Sequence, residues 1–363
     1  MRIVHIISRF NRGGTASWLK VLISEQDRLN HEVFLLAGNV SANEIEDSFF
    51  SENCGIRVTH LGRKIGFLRN VFAFFEIRIL LKKLHPDLVN THTSNAGLLG
   101  RLAAYSLGSN RPAIVHTYHG HILYGYFNRF LVFFFVKIEI FLAKISDLLL
   151  SSGTKVMEEL IDVGISNQSK FYVVRPGVIH DAVLNTRIEK QNLTIGWLGR
   201  LTAIKRPDRV IELAKYFENI EFLIGGEGEL KTKLAENLPK NVHLLGWVDP
   251  FEFWSKCDIA LLTSDNEAQP ISLIEAANHG LPMIAEDVGS VAEVIENGKN
   301  GFLVNGLEER ILAISTLLNN KSLRKSMSVS AQKTAKNRFS VSQFVNNHEI
   351  AYKLALDRLR VNL

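Results

Sequence analysis

From residue 2 to beyond residue 300 the chain alternates short apolar runs with longer amphipathic ones, and few folds accept that alternation. Runs of strand length include Arg2–Ile7, Glu32–Ala37, Asp87–Thr91, Ala113–Thr117 and Asp147–Leu150. Between them Ser17–Leu29, Leu68–Leu84 and Ala96–Leu107 place apolar residues at helical spacing. Strands separated by helical crossovers pair in parallel, so the pattern predicts α/β architecture with doubly wound sheets. The second half repeats it. A strand at Phe171–Val174 stops at Arg175-Pro176-Gly177 and the polar stretch Asn185–Asn192 follows, which puts a hinge near 178–192. The expected division is a first Rossmann-like domain over 1–178 and a second over 179–339. A chain of 363 residues is long enough to give each its own core.

Chemistry-bearing residues gather at strand ends in the second half. Asn266–Ala276 reads NEAQPISLIEA, with Glu267 in the loop after the apolar run Ile259–Leu262 and Glu275 about two turns into the next helix. A helix start beside a parallel strand end binds phosphorylated ligands, because free N–H groups point at the anion. Two acids there would repel phosphate unless they serve hydroxyls, which suits a nucleotide sugar. The same acids also fit a dipole-favoured residue and a solvated helix face. Upstream, LTIGWLGRLTAIKRP sets Arg200 and Lys205 in a loop between a strand and the helix opened by Pro207. A guanidinium fork and an ammonium point charge make a diphosphate clamp, or simply a surface loop with two solvated cations. A third loop, Gly225-Gly226-Glu227-Gly228-Glu229, permits close backbone approach to a ligand, or is a plain turn.

The ordered set GRLTAIKRPDRVIELAK, FLIGGEGEL, VHLLGWV, NEAQPISLIEA and GLPMIAEDVGSVAEVIENGKNGFLV resembles the retaining glycosyltransferases of family 4, which have the GT-B fold. ISRFNRGGTASWLKVLI resembles that family's first strand and Gly-rich loop, and HTYHGHILYGYF an acceptor-side motif of its bacterial surface-polysaccharide members. The resemblance covers nearly the whole chain. It implies two Rossmann-like domains facing across a cleft, with a tail helix at about 340–363 packing back on the first. It implies that Arg200 and Lys205 neutralise the leaving diphosphate, that Glu275 takes the ribose diol, and that Glu267 holds a sugar hydroxyl and faces the developing oxocarbenium charge. Ile271 and Ser272 join the donor site from the helix start, and Gly13 and Gly14 close over the phosphates. His119 contacts the donor sugar across the cleft, while Thr15, His121 and Tyr124 lie nearer the acceptor. Many members have Gly where this chain has Ala268, so the sugar is less defined than the reaction. The implied substrates are a nucleotide sugar, with UDP favoured, and a lipid-linked saccharide. No separate cofactor and no metal are implied.

His116, His119 and His121 could also be read as a metal cluster, but strand alternation splits them between faces and no carboxylate or Cys accompanies them. Cys54 and Cys257 lie in separate halves and match no metal or disulfide pattern, which suits a reducing cytoplasm. The start MRIVHIISRF serves better as a strand than as a cleavable signal.

Ten of the 22 Phe residues fall in 67–75 and 127–141. Between 63 and 83 stand six basic residues, Arg63, Lys64, Arg69, Arg78, Lys82 and Lys83, against Glu76 alone. Aromatic residues interleaved with cations describe an interfacial helix on anionic lipid, so a peripheral place on the inner face of the cell membrane is expected. The second stretch has no uncharged run longer than seven residues, far short of the ~20 that span a bilayer. It reads equally as a helix packed on the first sheet. The net charge of +5 favours an acidic partner, and no recognised module points to nucleic acid. Two other functions share parts of these motifs: a nucleotide-sugar 2-epimerase and a dehydrogenase or non-catalytic nucleotide-binding protein. Against the dehydrogenase, RFNRGGTAS is not G-x-G-x-x-G.

Overall fold

The computed structural model describes residues 1–41, 44–53, 55–62, 66–120, 129–179 and 193–362. The chain divides into two units, Met1–Gly177 with Ser342–Leu363, and Val178–Val341. The stretch 180–192, which holds most of the expected hinge, lies outside the described residues, as do His121 and Tyr124.

In the first unit the strands are β1 (Arg2–Ile7), β2 (Glu32–Ala37), β3 (Gly55–Arg57), β4 (Leu88–His92), β5 (Ala113–Tyr118), β6 (Leu148–Ser151) and β7 (Phe171–Val173). They form a parallel sheet in the order β3-β2-β1-β4-β5-β6-β7. The central strands are buried on both faces, so period-two alternation sorts their side chains by helix layer. Val4, Ile6, Val89 and Ile114 pack with Ala73, Ile77 and Leu81 of the helix Phe67–Leu84 and with Ala96 and Leu99 of the helix Ser94–Tyr105. His5, Asn90, His92 and Thr117 take the alternate positions. There His5 bonds to Gln26 of the helix Gly14–Arg28, and Asn90 to Tyr352 of the helix Val341–Asn362. The last helix is thus part of the first unit. It adds His31 Nε2 to Glu349 at 3.0 Å and Arg358 Nη1 donating to the Asp147 carbonyl at 3.1 Å.

The opposite helix layer is tied by polar pairs. Arg101, fully buried, donates from Nη2 to both oxygens of Glu139 at 2.9 and 2.8 Å, and Tyr118 donates to the same carboxylate at 2.8 Å. These bonds hold the helix Arg129–Ile145 to its neighbour. The outer faces of this layer are apolar. Phe67, Leu68, Phe72, Phe75 and Ile79 stand exposed on one helix and Phe133, Phe134, Ile138 and Phe141 on the other. Two cations expected on that face bond to neighbouring groups of the chain. Arg69 donates to the carbonyls of His60 and Leu61, and Arg78 to Ser106 Oγ. Arg69 is thus held by backbone carbonyls and Arg78 makes one bond at the surface, whereas Lys82 and Lys83 stay exposed. Arg63 and Lys64 lie outside the described residues. Among those described, no helix is long and apolar enough to cross a membrane.

The second unit contains β8 (Thr194–Leu198), β9 (Glu221–Gly225), β10 (Val242–Gly246), β11 (Ile259–Leu262), β12 (Met283–Glu286) and β13 (Gly301–Val304). Their parallel order is β10-β9-β8-β11-β12-β13. Ile195, Trp197, Phe222, Ile224, Ile259 and Leu261 belong to one core, while Ala260, Leu262, Met283 and Ala285 pack on the helix Ile271–Asn278 in the other. Strand order reverses between β1 and β4 in one unit and between β8 and β11 in the other. Such switch points open a crevice at the carboxyl ends of the strands, where open α/β sheets bind ligands.

Candidate active site

The loops leaving β8 and β11 flank the switch of the second sheet and are sewn together by short bonds. Trp197 Nε1 donates to Thr263 Oγ1 at 3.0 Å, and that hydroxyl donates to the Arg206 carbonyl at 2.8 Å. Arg209 donates to the Thr263 carbonyl at 2.8 Å, and the Asp265 N–H to the Ile204 carbonyl at 2.9 Å. Asp265 also pairs with Arg209 at 2.7 Å and Arg206 at 3.4 Å. Arg206 adopts φ of 51°, an uncommon conformation for a residue with a Cβ, and these bonds hold it there. Its effect is to turn Lys205, the last residue of the turn Ala203–Lys205, toward the β11 loop.

There Lys205 Nζ meets Glu267 at 2.5 Å to Oε1 and 2.7 Å to Oε2, and Ser264 Oγ donates to Oε1 at 2.6 Å. The Glu267 side chain is 5% exposed and that of Lys205 24%. A carboxylate this buried needs such donors. Its backbone is fixed as well, since the Ser290 N–H donates to the Glu267 carbonyl at 3.1 Å. Gly289 has φ of +53°, and a Cβ there would lie 1.7 Å from that carbonyl oxygen, so only glycine permits the approach. The β9 loop is explained similarly. A Cβ on Gly226 would meet the Gly199 carbonyl at 1.8 Å, so this glycine serves backbone contact between neighbouring loops.

Arg200 lies exposed on the Lys205 loop, with no ion-pair partner among the described residues. Pro270 precedes the helix Ile271–Asn278 and accepts from Leu273 N–H, which leaves the N–H groups of Ile271 and Ser272 without an intrahelical acceptor. Glu275 is half-buried on the same helix. The structure thus joins Lys205 directly to Glu267, while Arg200 and Glu275 stand on the same two segments.

In the first unit Gly13 has φ of +152°, is exposed, and opens the helix Gly14–Arg28 with Thr15 in its first turn. The first intrahelical bond runs from Ser17 N–H to the Gly13 carbonyl at 3.0 Å, leaving the preceding N–H groups free for an anion. His119 follows β5, and its Nε2 lies 2.8 Å from His92 Nδ1, with Trp18 edge-on at 4.9 Å between ring centres. Burial pushes its pKa from 6.5 down to about 3, so it is a neutral imidazole near pH 7. His116 turns instead to Thr91 Oγ1 at 2.8 Å and the two rings do not converge. Among the described residues no three His, Cys, Asp or Glu side chains are grouped as metal ligands.

Sequence reasoning missed Ser264, Thr263, Gly289 and the partners of His119. Ser264 had a local signal, standing three residues before Glu267 at the end of an apolar strand. The others depend on strand order.

Comparison with known proteins converges on one family. Residues 12–182 match the family model described as Glycosyltransferase Family 4, and residues 184–334 that of Glycosyl transferases group 1. The UDP-Gal:alpha-D-GlcNAc-diphosphoundecaprenol alpha-1,3-galactosyltransferase of Escherichia coli is 30% identical over 292 residues, which is 73% of this chain and 75% of that protein. The capsular polysaccharide biosynthesis glycosyltransferase CapM of Staphylococcus aureus is 25% identical, covering 78% of this chain and 80% of its own. Among solved structures, Anabaena HepE in complex with UDP and glucose superposes with a TM-score of 0.77 at 19% identity, over 98% of this chain and 100% of that one. The apo lipopolysaccharide outer core galactosyltransferase WaaB gives 0.73 at 19% identity, over 97% and 99%. At such identities these structures bear on the fold, which is GT-B.

Proposed function

We propose, for a chain that belongs to glycosyltransferase family 4 and is a bacterial surface-polysaccharide enzyme, that it transfers a sugar from a UDP-sugar to a lipid-linked saccharide, with retention of configuration and without a bound metal. The observation that carries this is the Lys205–Glu267–Ser264 cluster at the switch point of the second sheet. An ammonium has three N–H donors, and two are directed at Glu267, which leaves the third for a phosphate oxygen. Arg200, exposed on the same loop, adds the planar fork. Together they neutralise the leaving diphosphate, where charge grows in the transition state. Glu267 retains lone pairs for a sugar hydroxyl and its charge stabilises the oxocarbenium-like centre. Glu275 accepts from the ribose diol, and the N–H groups of Ile271 and Ser272 face the donor phosphates.

The acceptor oxygen forms its bond to the anomeric carbon on the face that the phosphate leaves. The C–O electron pair goes to the diphosphate, which also takes the acceptor proton. No protein nucleophile is required. Gly13 and Gly14 serve the donor phosphates, His119 the sugar, and Thr15, His121 and Tyr124 the acceptor. The relatives' names support this substrate pair: one acts from UDP-Gal on a diphosphoundecaprenol-linked sugar. The same transferase names disfavour the 2-epimerase.

A lipid-anchored acceptor also gives the exposed phenylalanines a use. The helices Phe67–Leu84 and Arg129–Ile145 rest the first unit on an anionic bilayer, with Lys82 and Lys83 at the head groups. The decisive assay incubates a panel of nucleotide sugars with lipid-linked acceptors in excess chelator and follows products by mass spectrometry. Expected are the nucleoside diphosphate and an elongated lipid in equal amounts, with the anomeric configuration of the donor. Free sugar formed without acceptor, or activity that needs a divalent ion, would overturn the reading.

A further inference from the structure

Three strands of the first unit bring a row of imidazoles together beneath two helices. His5 on β1, His92 on β4 and His119 just beyond β5 share the face covered by Gly14–Arg28 and Val341–Asn362. The row begins at Gln26, whose Oε1 lies 2.9 Å from His5 Nε2. His5 Nδ1 is 3.1 Å from His92 Nε2, and His92 Nδ1 is 2.8 Å from His119 Nε2. His5 and His92 are completely buried.

A neutral imidazole has one N–H and one lone pair, so every link in such a row must run in the same direction. Gln26 Oε1 only accepts, hence His5 is protonated on Nε2 and its Nδ1 is a lone pair. That lone pair requires the proton of His92 on Nε2, and the same rule at the next link puts the His119 proton on Nε2. The Tyr352 hydroxyl accepts from Asn90 Nδ2 at 2.8 Å. Asn90 Oδ1 accepts from Thr117 Oγ1 at 2.9 Å. A second proton on His5 or His92 would aim two N–H groups at each other, and burial opposes it: His5 is pushed down to about 4 and His92 well below 6.5. Trp18, edge-on to His119, restricts the ring plane.

We propose that Gln26, His5 and His92 are positioning residues that lock His119 in its Nε2–H tautomer, so that its bare Nδ1 accepts a hydrogen bond from a hydroxyl of the transferred sugar. The proposal rests on the contact between His119 and the donor sugar given above. An acceptor of fixed polarity favours a hydroxyl and rejects a deoxy analogue, whose C–H leaves it unpaired.

The test uses the full chain labelled with ¹⁵N-histidine, with long-range ¹H–¹⁵N spectra at pH 7 assigned through His5→Gln, His92→Gln and His119→Gln. Expected in the unsubstituted protein are neutral rings protonated on Nε2 at all three sites. Gln26→Leu removes the head of the row. It should give a mixed tautomer at His119 and lower kcat/KM about tenfold with a UDP-hexose that turns over, the size of one lost hydrogen bond. Gln26→Glu keeps an acceptor facing His5 and should restore both the tautomer and the rate. A His119 ring protonated on Nδ1, or a tautomer unchanged in Gln26→Leu, overturns the relay. Full activity in His119→Gln alongside the expected spectra would instead sink the donor contact and leave the relay as architecture alone.

Discussion

In the second unit the polar groups at the switch of the sheet are ions: Lys205 against Glu267, and Arg206 and Arg209 against Asp265. In the first unit the central strands carry neutral rings, His5 and His92 deep beneath two helices and His119 partly exposed at the end of the row. The same kind of sheet supports both because each treats desolvation differently. Lys205, Arg206 and Arg209 keep part of their solvent, and the buried Glu267 is compensated by its donors. Imidazoles in the interior give up their charge and keep direction, which suits recognition of an uncharged hydroxyl.

The largest test of that contrast removes a charge. Lys205→Ala should lower turnover about 100-fold or more, because it deletes stabilisation where leaving-group charge develops. It should also destabilise the second unit by about 3 kcal/mol, since Glu267 is left buried and uncompensated. Adding Glu267→Gln should recover much of the stability in denaturant titration and none of the activity. A single mutant with wild-type turnover would break the ionic side of the comparison.

Acid tests the neutral side. The buried rings have folded pKa values below the unfolded 6.5, about 4 for His5 and about 3 for His119 and His348. Below pH 6.5 the unfolded chain takes up protons that the folded chain refuses, so their contribution is complete above 6.5 and is lost as pH falls toward 4. For His5 alone this amounts to about 3 kcal/mol. Hydrogen exchange at pH 5 should therefore accelerate in the first unit more than in the second, and His5→Gln should blunt the difference. Uniform acceleration across both units would contradict it.

A smaller effect is expected at the lipid. Lys82→Ser with Lys83→Ser should weaken sedimentation with anionic vesicles by about 2 kcal/mol at low salt, roughly 1 per cation. Arg69→Ser should act through folding, because its donors serve backbone carbonyls. Equal sedimentation of the double variant and the wild type would leave those helices with only a solvated edge. The smallest change belongs to Glu275→Gln, which should weaken binding of UDP alone about tenfold by calorimetry while sparing the fold. Unchanged affinity would remove the ribose from Glu275.

Strand and helix alternation made both sheets legible, and apolar runs ending at Gly199 and before Glu267 located the loops that matter. Their pairing was not legible. Lys205 and Glu267 stand 62 positions apart, and only the β8–β11 adjacency brings them into contact. The imidazole row was more hidden still. His5 sits in RIVHII and His92 closes LVNTH, where each alone reads as a tolerated core histidine. Recognising them needs three strand registers at once. Arg69 shows the converse error: a cation in an amphipathic pattern counts as surface charge until the carbonyls beside it are known.

The membership of Ser342–Leu363 in the first unit has a consequence for how the protein is made. A ribosome delivers residues 1–177 first, yet Asn90 still lacks its Tyr352 bond and His31 its Glu349 partner. The whole second unit must emerge before those groups are covered, so the earlier-born half matures last. Any chain released before residue 341 would leave Asn90 without its Tyr352 bond and His31 without its Glu349 partner.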